Sequence, residues 1–198
     1  MTLTNSVPTT TGATTPVPDD TAWSRPIRVE VIMGSVREGR FGPVVADWFT
    51  RHATARGDLA VRTLDLAANP PELADRIGAA DAVVVVTPEY NHSYPGPLKT
   101  AIDGVGPQWR GKPVGFVSYG GLSGGLRAVE ALRVVFAELH TVTVRDTVSF
   151  HMAHGRFDAD GEPHDRTGPA AAATTLLDQL VWWARPLRLA RSHTPYGR

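Results

Sequence analysis

Short apolar runs alternate along this chain with stretches that carry apolar side chains at helical spacing. The most constraining run is 81–88, DAVVVVTP, because four consecutive valines are typical of a strand covered on both faces. Strand and helix patterns that take turns predict an α/β fold, in which a parallel sheet with right-handed crossovers carries helices on both faces. The predicted strands are 28–33, 59–66, 81–88, 113–119 and 141–150, and the predicted helices are 42–56, 70–80, 96–105, 123–140 and 169–187.

The length of 198 residues suits one domain with appended ends. Residues 1–25 are rich in Thr, Pro, Ser and Asp and hold too few apolar side chains to offset the entropy of ordering them. They are therefore predicted to be a flexible N-terminal tail. Residues 26–190 form the predicted folded domain, and residues 191–198 form a short C-terminal tail.

Composition excludes several classes of function. The chain has 20 basic and 20 acidic residues, so its balanced charge predicts no nucleic-acid partner and no anionic membrane partner. It has no cysteine, which rules out disulfides, iron–sulfur clusters, thiolate zinc sites and thiol nucleophiles, and no metal site is predicted. No apolar run approaches the roughly 20 residues of a membrane span, and the N-terminus lacks the pattern of a secretory signal. We therefore expect a cytoplasmic protein.

Parallel sheets of this kind bind ligands at the carboxyl ends of their strands, so the loops after strands one, three and four are the candidate sites. The first loop, GSVREGRFG, holds Ser35, Arg37 and Arg40 just before a helix. Two guanidinium groups beside the unpaired N–H groups of a helix N-terminus suit a phosphate monoester. The segment matches neither the dinucleotide fingerprint nor the nucleoside-triphosphate loop. The alternative is a surface loop whose arginines are solvated.

The third-strand loop, TPEYNHSYPG over residues 87–96, combines stiffening prolines with tyrosines and an amide. Such a surface suits a planar heteroaromatic ring with hydrogen-bonding edges. The alternative is a turn whose prolines only end the strand and begin the next helix. His92 could serve as a base, but a single loop histidine is more often a surface residue, and no catalytic side chain is assigned.

The fourth-strand loop, SYGGLSGG over residues 118–125, contains four glycines. Glycine allows the backbone to approach a flat ligand closely. The alternative is a flexible turn in which Ser118 and Ser123 cap the following helix. No one of the three loops is specific alone, but all three are expected at the same end of one sheet.

Together, the segments GSVREGRFGPVVADWF, PEYNHSYPGPLKTAIDGV and GKPVGFVSYGGLSGGLRAVEALR resemble the NADPH-dependent FMN reductases. The resemblance covers roughly residues 27–190. It implies a flavodoxin-like three-layer fold with a five-stranded parallel sheet, which makes 26–190 an FMN-binding reductase domain. One departure is Thr100, where the family often has asparagine. The cofactor-binding residues implied are Ser35, Arg37 and Arg40 for the phosphate, Phe41 and Gly42 for the shape of that loop, Pro88, Glu89, Tyr90 and Asn91 along the isoalloxazine ring, and Ser118, Tyr119, Gly120 and Gly121 as a third segment.

The resemblance also implies an activity. A hydride would pass from NADPH or NADH to FMN and then to a small acceptor in a ping-pong cycle, within a homodimer or homotetramer. The resemblance does not identify the acceptor, which could be a quinone, free flavin, an azo or nitro compound, or a metal oxyanion. Two other readings remain open, namely a flavodoxin-type electron carrier and a non-enzymatic sensor or assembly subunit.

Overall fold

The computed structural model of the chain describes residues 23–194, 196 and 197. The flexible tail predicted over residues 1–25 therefore falls almost wholly outside the described residues. The helices and strands, in chain order, are β1 (Ile27–Met33), α1 (Gly42–Thr54), β2 (Leu59–Asp65), α2 (Leu73–Ala79), β3 (Ala82–Pro88), α3 (Gly96–Asp103), β4 (Pro113–Tyr119), α4 (Leu126–Glu138), β5 (Val142–Thr143), β6 (Val148–Phe150) and α5 (Thr167–His193).

The strands form one sheet in the order β2-β1-β3-β4-β5, and β6 also pairs with β4. Every pairing between these strands is parallel. The chain leaves β1 toward β2 on one side and returns to β3 on the other, so the switch point in strand order lies between β1 and β3. The predicted α/β, flavodoxin-like architecture is confirmed.

The predicted fifth strand, 141–150, is divided into two short strands. β5 pairs with Pro113 and Val114 at the start of β4, and β6 pairs with its last three residues. Between them the chain turns toward α5, because the Asp146 amide donates to Gln179 Oε1 (3.1 Å) and the Gln179 side-chain amide donates to the Asp146 carboxylate. Hydrogen bonds between Asp146 and Gln179 of α5 therefore interrupt the pairing of this segment with β4.

The core consists of one apolar layer on each face of the sheet. Successive side chains of a strand point to opposite faces, so the valine run serves both layers. Val84 and Val86 pack in the layer that α1 and α5 cover, while Val83 and Val85 pack in the layer that α3 and α4 cover. All of β3 is buried, as the four valines predicted.

The last helix is longer than the predicted 169–187 and contains Pro186. Its final turns bring Arg188 and Arg191 to the buried carboxylate of Asp81, which Arg28 also binds through two hydrogen bonds. Burial alone would raise the pKa of Asp81, but the hydrogen bonds and charge of Arg28 hold that pKa below its ordinary value. These ion pairs explain why the helix extends into the segment interpreted from sequence as a C-terminal tail.

Within residues 23–194, 196 and 197, no helix is long and apolar enough to cross a membrane. The same residues contain no cluster of His, Asp and Glu side chains that could hold a metal ion.

Candidate functional site

A cleft of about 510 Å³ lies at the carboxyl ends of β1, β3, β4 and β6. Strand register brings these ends together, since Met33 is opposite Val86 and Pro88 is opposite Tyr119. The cleft contains most of the predicted cofactor residues. Its lining consists of Ser35, Arg37, Glu38, Gly39, Arg40, Phe41, Pro88, Glu89, Tyr90, Tyr119, Gly120, Gly121, Met152, Ala153, His154 and Gly155.

Gly42, the first residue of α1, does not line the cleft but allows its floor to form. It is buried, and a Cβ atom at this position would lie 2.9 Å from the hydroxyl oxygen of Tyr119. Only glycine lets the N-terminus of α1 approach Tyr119 this closely. Burial, with Tyr90 nearby, raises the pKa of Tyr119 well above its ordinary value. Its hydroxyl therefore stays protonated and can donate a hydrogen bond.

Arg37 is held above an aromatic ring and keeps its donors free. Its guanidinium carbon lies 3.7 Å from the centroid of the Tyr90 ring, which is the geometry of a cation–π contact. Tyr90 is itself fixed by a 2.6 Å hydrogen bond between its hydroxyl and Ser35 Oγ. Within the described part of the chain Arg37 makes no hydrogen bond and no ion pair, so its N–H groups are available to an anion in the cleft.

Arg40 is held by an ion pair, although the sequence predicted the same role for both arginines. Its Nη2 forms an ion pair with the carboxylate of Asp65, the last residue of β2. Asp65 also accepts a hydrogen bond from the Ala67 amide (3.0 Å). The Nε of Arg40 is buried and has no hydrogen-bond partner among the described residues. Sequence reasoning missed Asp65, which lies 25 residues further along the chain.

The tip of the third-strand loop is a tight turn whose two central residues lie outside the cleft lining. The backbones of Tyr90 and Ser93 exchange two hydrogen bonds, of 2.8 and 3.1 Å. Asn91 and His92, between them, have φ angles of 49° and 70°, and both are exposed. Asn91, predicted beside the ring, instead supplies a left-handed turn position that asparagine tolerates well. His92 also lies outside the cleft lining, which agrees with the surface-residue interpretation.

Glu89 joins the third-strand loop to the start of α4. Its carboxylate accepts hydrogen bonds from the Ser123 hydroxyl, the Arg127 amide (3.3 Å) and Arg127 Nη1 (2.9 Å). Burial opposes its ionisation, yet the bonds from Ser123 and Arg127 hold the pKa of Glu89 below its ordinary value. The N-cap residue of α4, Gly125, has no side chain, so Glu89 caps the helix from the neighbouring loop.

The fourth-strand loop is also internally bonded. The Ser118 hydroxyl donates to the Gly124 carbonyl (2.8 Å) and lies outside the cleft lining, so Ser118 shapes this loop and does not cap α4. Gly120 and Gly121, in contrast, line the cleft with backbone alone. The interpretation of Ser118 and Ser123 as helix caps is therefore wrong for both, because Ser123 binds Glu89.

A fourth segment of the cleft, residues 152–155, was not predicted. The Met152 and Ala153 amides donate to the Gly121 and Gly120 carbonyls, at 2.9 and 3.0 Å. This pairing places the centroid of the His154 ring 4.8 Å from that of the Phe41 ring, and both residues line the cleft. The segment follows β6, so the rule that ligands bind at the carboxyl ends of strands would have found it if it had been applied to the fifth strand.

Known proteins share both the sequence and the fold. The family profile described as NADPH-dependent FMN reductase matches residues 27–155. A quinone reductase of Pseudomonas putida is 34% identical over 179 residues, which cover 79% of this chain and 94% of that protein. An NAD(P)H-dependent FMN reductase of Schizosaccharomyces pombe is 34% identical over 120 residues, and the match spans 50% of this chain and 60% of that protein.

Among solved structures, FerB of Paracoccus denitrificans, a flavoenzyme NAD(P)H:(acceptor) oxidoreductase, superposes with a TM-score of 0.64 and 28% identity. The superposition covers 81% of this chain and 98% of FerB. The family profile spans more than half of the chain, and the Pseudomonas putida relative matches over most of both sequences. The resemblance stated from the sequence is confirmed, and the chain belongs to the NADPH-dependent FMN reductase family.

Proposed function

We propose that this chain holds FMN in the cleft at the carboxyl ends of β1, β3 and β4 and uses it to reduce a small acceptor at the expense of NAD(P)H. Family membership makes the chain an oxidoreductase with FMN as cofactor and NAD(P)H as co-substrate. The observation that carries the proposal is that Arg37, which makes no hydrogen bond and no ion pair within the described residues, lines the same cleft as Ser35 and Tyr119. FMN, when bound, supplies the relay of a hydride from nicotinamide to acceptor.

The residues present fit the phosphate end of FMN. Ser35 and Tyr119 offer hydroxyl donors, Arg37 offers unpaired charged donors, and α1 begins at Gly42 with backbone N–H groups that its own helix leaves free. Gly42 has no side chain to obstruct them. We propose Ser35, Arg37 and Arg40 as the phosphate residues, with Phe41 and Gly42 shaping the loop, and with the charge of Arg40 already offset by Asp65.

The other two loops fit a flat ring. We propose that Pro88, Glu89 and Tyr90 border one edge through their backbone and that Gly120 and Gly121 border the other. The Gly121 N–H group, which donates no hydrogen bond within the described residues, can stabilise negative charge that develops on the ring during reduction. Asn91 and Ser118 support this arrangement indirectly, through the turn at 90–93 and the bond to Gly124.

Hydride transfer through a flavin needs no acid–base side chain of the protein, so we assign no catalytic residue. We propose that bound FMN leaves one face of its ring open to a single partner at a time. NAD(P)H and the acceptor are therefore proposed to use that face in turn, in a ping-pong cycle. Relatives named quinone reductase support a quinone as acceptor. A homodimer or homotetramer in the cytoplasm is proposed from the family resemblance.

Anaerobic titration of the purified holoprotein tests the activity. Added NADPH is expected to bleach the flavin absorbance, and subsequent benzoquinone is expected to restore it. Steady-state rates at several fixed quinone concentrations should give parallel double-reciprocal lines. A flavin that NADPH and NADH leave oxidised would instead support a flavodoxin-type carrier.

Replacing Arg37 tests the binding site separately from the activity. Arg37→Ala removes the unpaired charged donors and is expected to weaken FMN binding by about tenfold or more. Riboflavin, which lacks the phosphate, serves as the control ligand and should bind both proteins alike. Equal FMN affinity in Arg37→Ala and wild type would contradict the proposal that Arg37 binds the phosphate of FMN.

A further inference from the structure

We infer that Asp65 weakens the binding of the FMN phosphate, because its carboxylate compensates the charge of Arg40 beside the cleft. The inference rests on the proposed function, since it concerns the phosphate of FMN. Asp65 belongs to none of the three loops that bear the family resemblance. It lies outside the cleft lining, where it pairs with Arg40.

The ion pair is built into the sheet. Arg40 follows β1, Asp65 ends β2, and the two strands pair in parallel so that Met33 lies opposite Asp65. The two side chains are 20% and 28% exposed, so water screens their interaction only in part. The Ala67 amide fixes the other carboxylate oxygen at 3.0 Å. The carboxylate is therefore held at a fixed place near the end of the cleft where the phosphate is proposed to bind.

The charges around the first loop explain the effect. Arg37 and Arg40 bring two positive charges, while Glu38 and Asp65 bring two negative charges, so the formal sum is zero. A phosphate monoester that contacts Arg40 also meets the repulsion of Asp65. At separations of several ångströms in a partly screened site, one full charge acting on a dianion changes a binding constant on the order of tenfold. Asp65 therefore narrows the difference in affinity between FMN and riboflavin.

The variant Asp65→Asn tests this directly. Asparagine keeps a carbonyl oxygen that can accept from Arg40 or Ala67 and removes only the charge. Flavin-free protein is titrated with FMN and with riboflavin, and binding is followed by quenching of flavin fluorescence. The expected result is about tenfold tighter binding of FMN, with riboflavin affinity unchanged within about twofold.

A matched control lies at the opposite end of the same strand. Asp58 precedes β2 and pairs with Arg56 at 3.0 Å, so Asp58→Asn makes the same change in net charge next to an arginine but away from the cleft. It is expected to leave both affinities unchanged. A gain in FMN affinity as large as that of Asp65→Asn would overturn the inference, because the effect would then follow net charge.

Two further outcomes decide the matter. Unchanged or weaker FMN binding by Asp65→Asn would overturn the inference and show that the carboxylate orients Arg40 productively. Arg40→Gln leaves the Asp65 charge uncompensated beside the phosphate. The double variant Arg40→Gln/Asp65→Asn is therefore expected to bind FMN about tenfold more tightly than Arg40→Gln, and equal binding by the two would contradict the inference even if Asp65→Asn alone did not fold. Failure of the wild type to bind FMN would refute the proposed function itself.

Discussion

Two helices of this protein begin with the same dipeptide, and the difference between their surroundings gives a sharp prediction. α1 begins with Gly42 followed by proline, and α3 begins with Gly96 followed by proline. A Cβ at Gly42 would lie 2.9 Å from the Tyr119 hydroxyl oxygen, whereas a Cβ at Gly96 would meet no atom within 4 Å. Alanine before proline is subject to the same backbone restriction at both sites, so the contact with Tyr119 is what distinguishes them.

The cost of Gly42→Ala follows from that contact. The distance is about 0.5 Å shorter than van der Waals contact, and Tyr119 is buried, so the ring or the helix must move. Overpacking of this kind costs about 1–3 kcal/mol. We expect Gly42→Ala to be less stable than Gly96→Ala by this amount. Movement of the Tyr119 hydroxyl should also weaken FMN binding by about tenfold, because one hydrogen bond to a charged group is lost or lengthened.

Urea unfolding of both variants as flavin-free proteins measures the stability difference, and fluorescence titration measures FMN affinity. Gly96→Ala is expected to match the wild type in both assays, to within the helical preference of alanine over glycine. Equal stability and equal FMN affinity of the two variants would refute the claim that the approach of α1 to Tyr119 builds the floor of the site.

Three further predictions concern buried or capping charges. Asp81→Asn is expected to lower the free energy of unfolding by about 3–5 kcal/mol at pH 7, because it removes the buried carboxylate that offsets the charges of Arg28, Arg188 and Arg191. The lowered pKa of Asp81 means that its contribution is present above pH 4 and is lost as pH falls further, so an acid titration of the variant should lack that loss. Burial lowers the pKa of Lys112 to about 8, and the folded state therefore sheds this proton before the unfolded state does. Stability should rise between about pH 8 and 10 by up to about 3 kcal/mol, a rise that Lys112→Met should abolish in urea titrations. Glu89→Ala should expose the first-turn amides of α4 to faster hydrogen exchange, by about tenfold or more, while Glu89→Gln should retain most of the protection. Unchanged exchange in Glu89→Ala would contradict the capping role.

The sequence was sufficient for the architecture because the apolar patterns are local. Four valines in a row are typical of a strand with cover on both faces, and glycine-rich turns marked the ends of β1 and β4. The division of the fifth strand could not be predicted, since it depends on a contact between Asp146 and Gln179, which are 33 residues apart.

The position of the cleft was predicted from the sequence, but the contacts that its side chains make were not. Residue types in the first loop indicated an anion. Nothing local distinguishes Arg37, whose N–H groups make no hydrogen bond within the described residues, from Arg40, which is paired with Asp65. The Asn91 and Ser118 positions follow the family motif, yet Asn91 occupies a left-handed turn position and the Ser118 hydroxyl donates to a carbonyl of its own loop. The register between neighbouring strands decides which side chains meet across them, and that register cannot be read from the sequence.

The divided fifth strand has a consequence for solubility. A long open margin of a sheet is a template on which strands of other molecules can add, and this is a common route to aggregation. Here that margin consists of one strand of two residues and another of three. Between them stands Arg145, whose side chain is 89% exposed and charged. At this edge of the sheet, incoming strands therefore find only short stretches to pair with, interrupted by a cation that resists being buried.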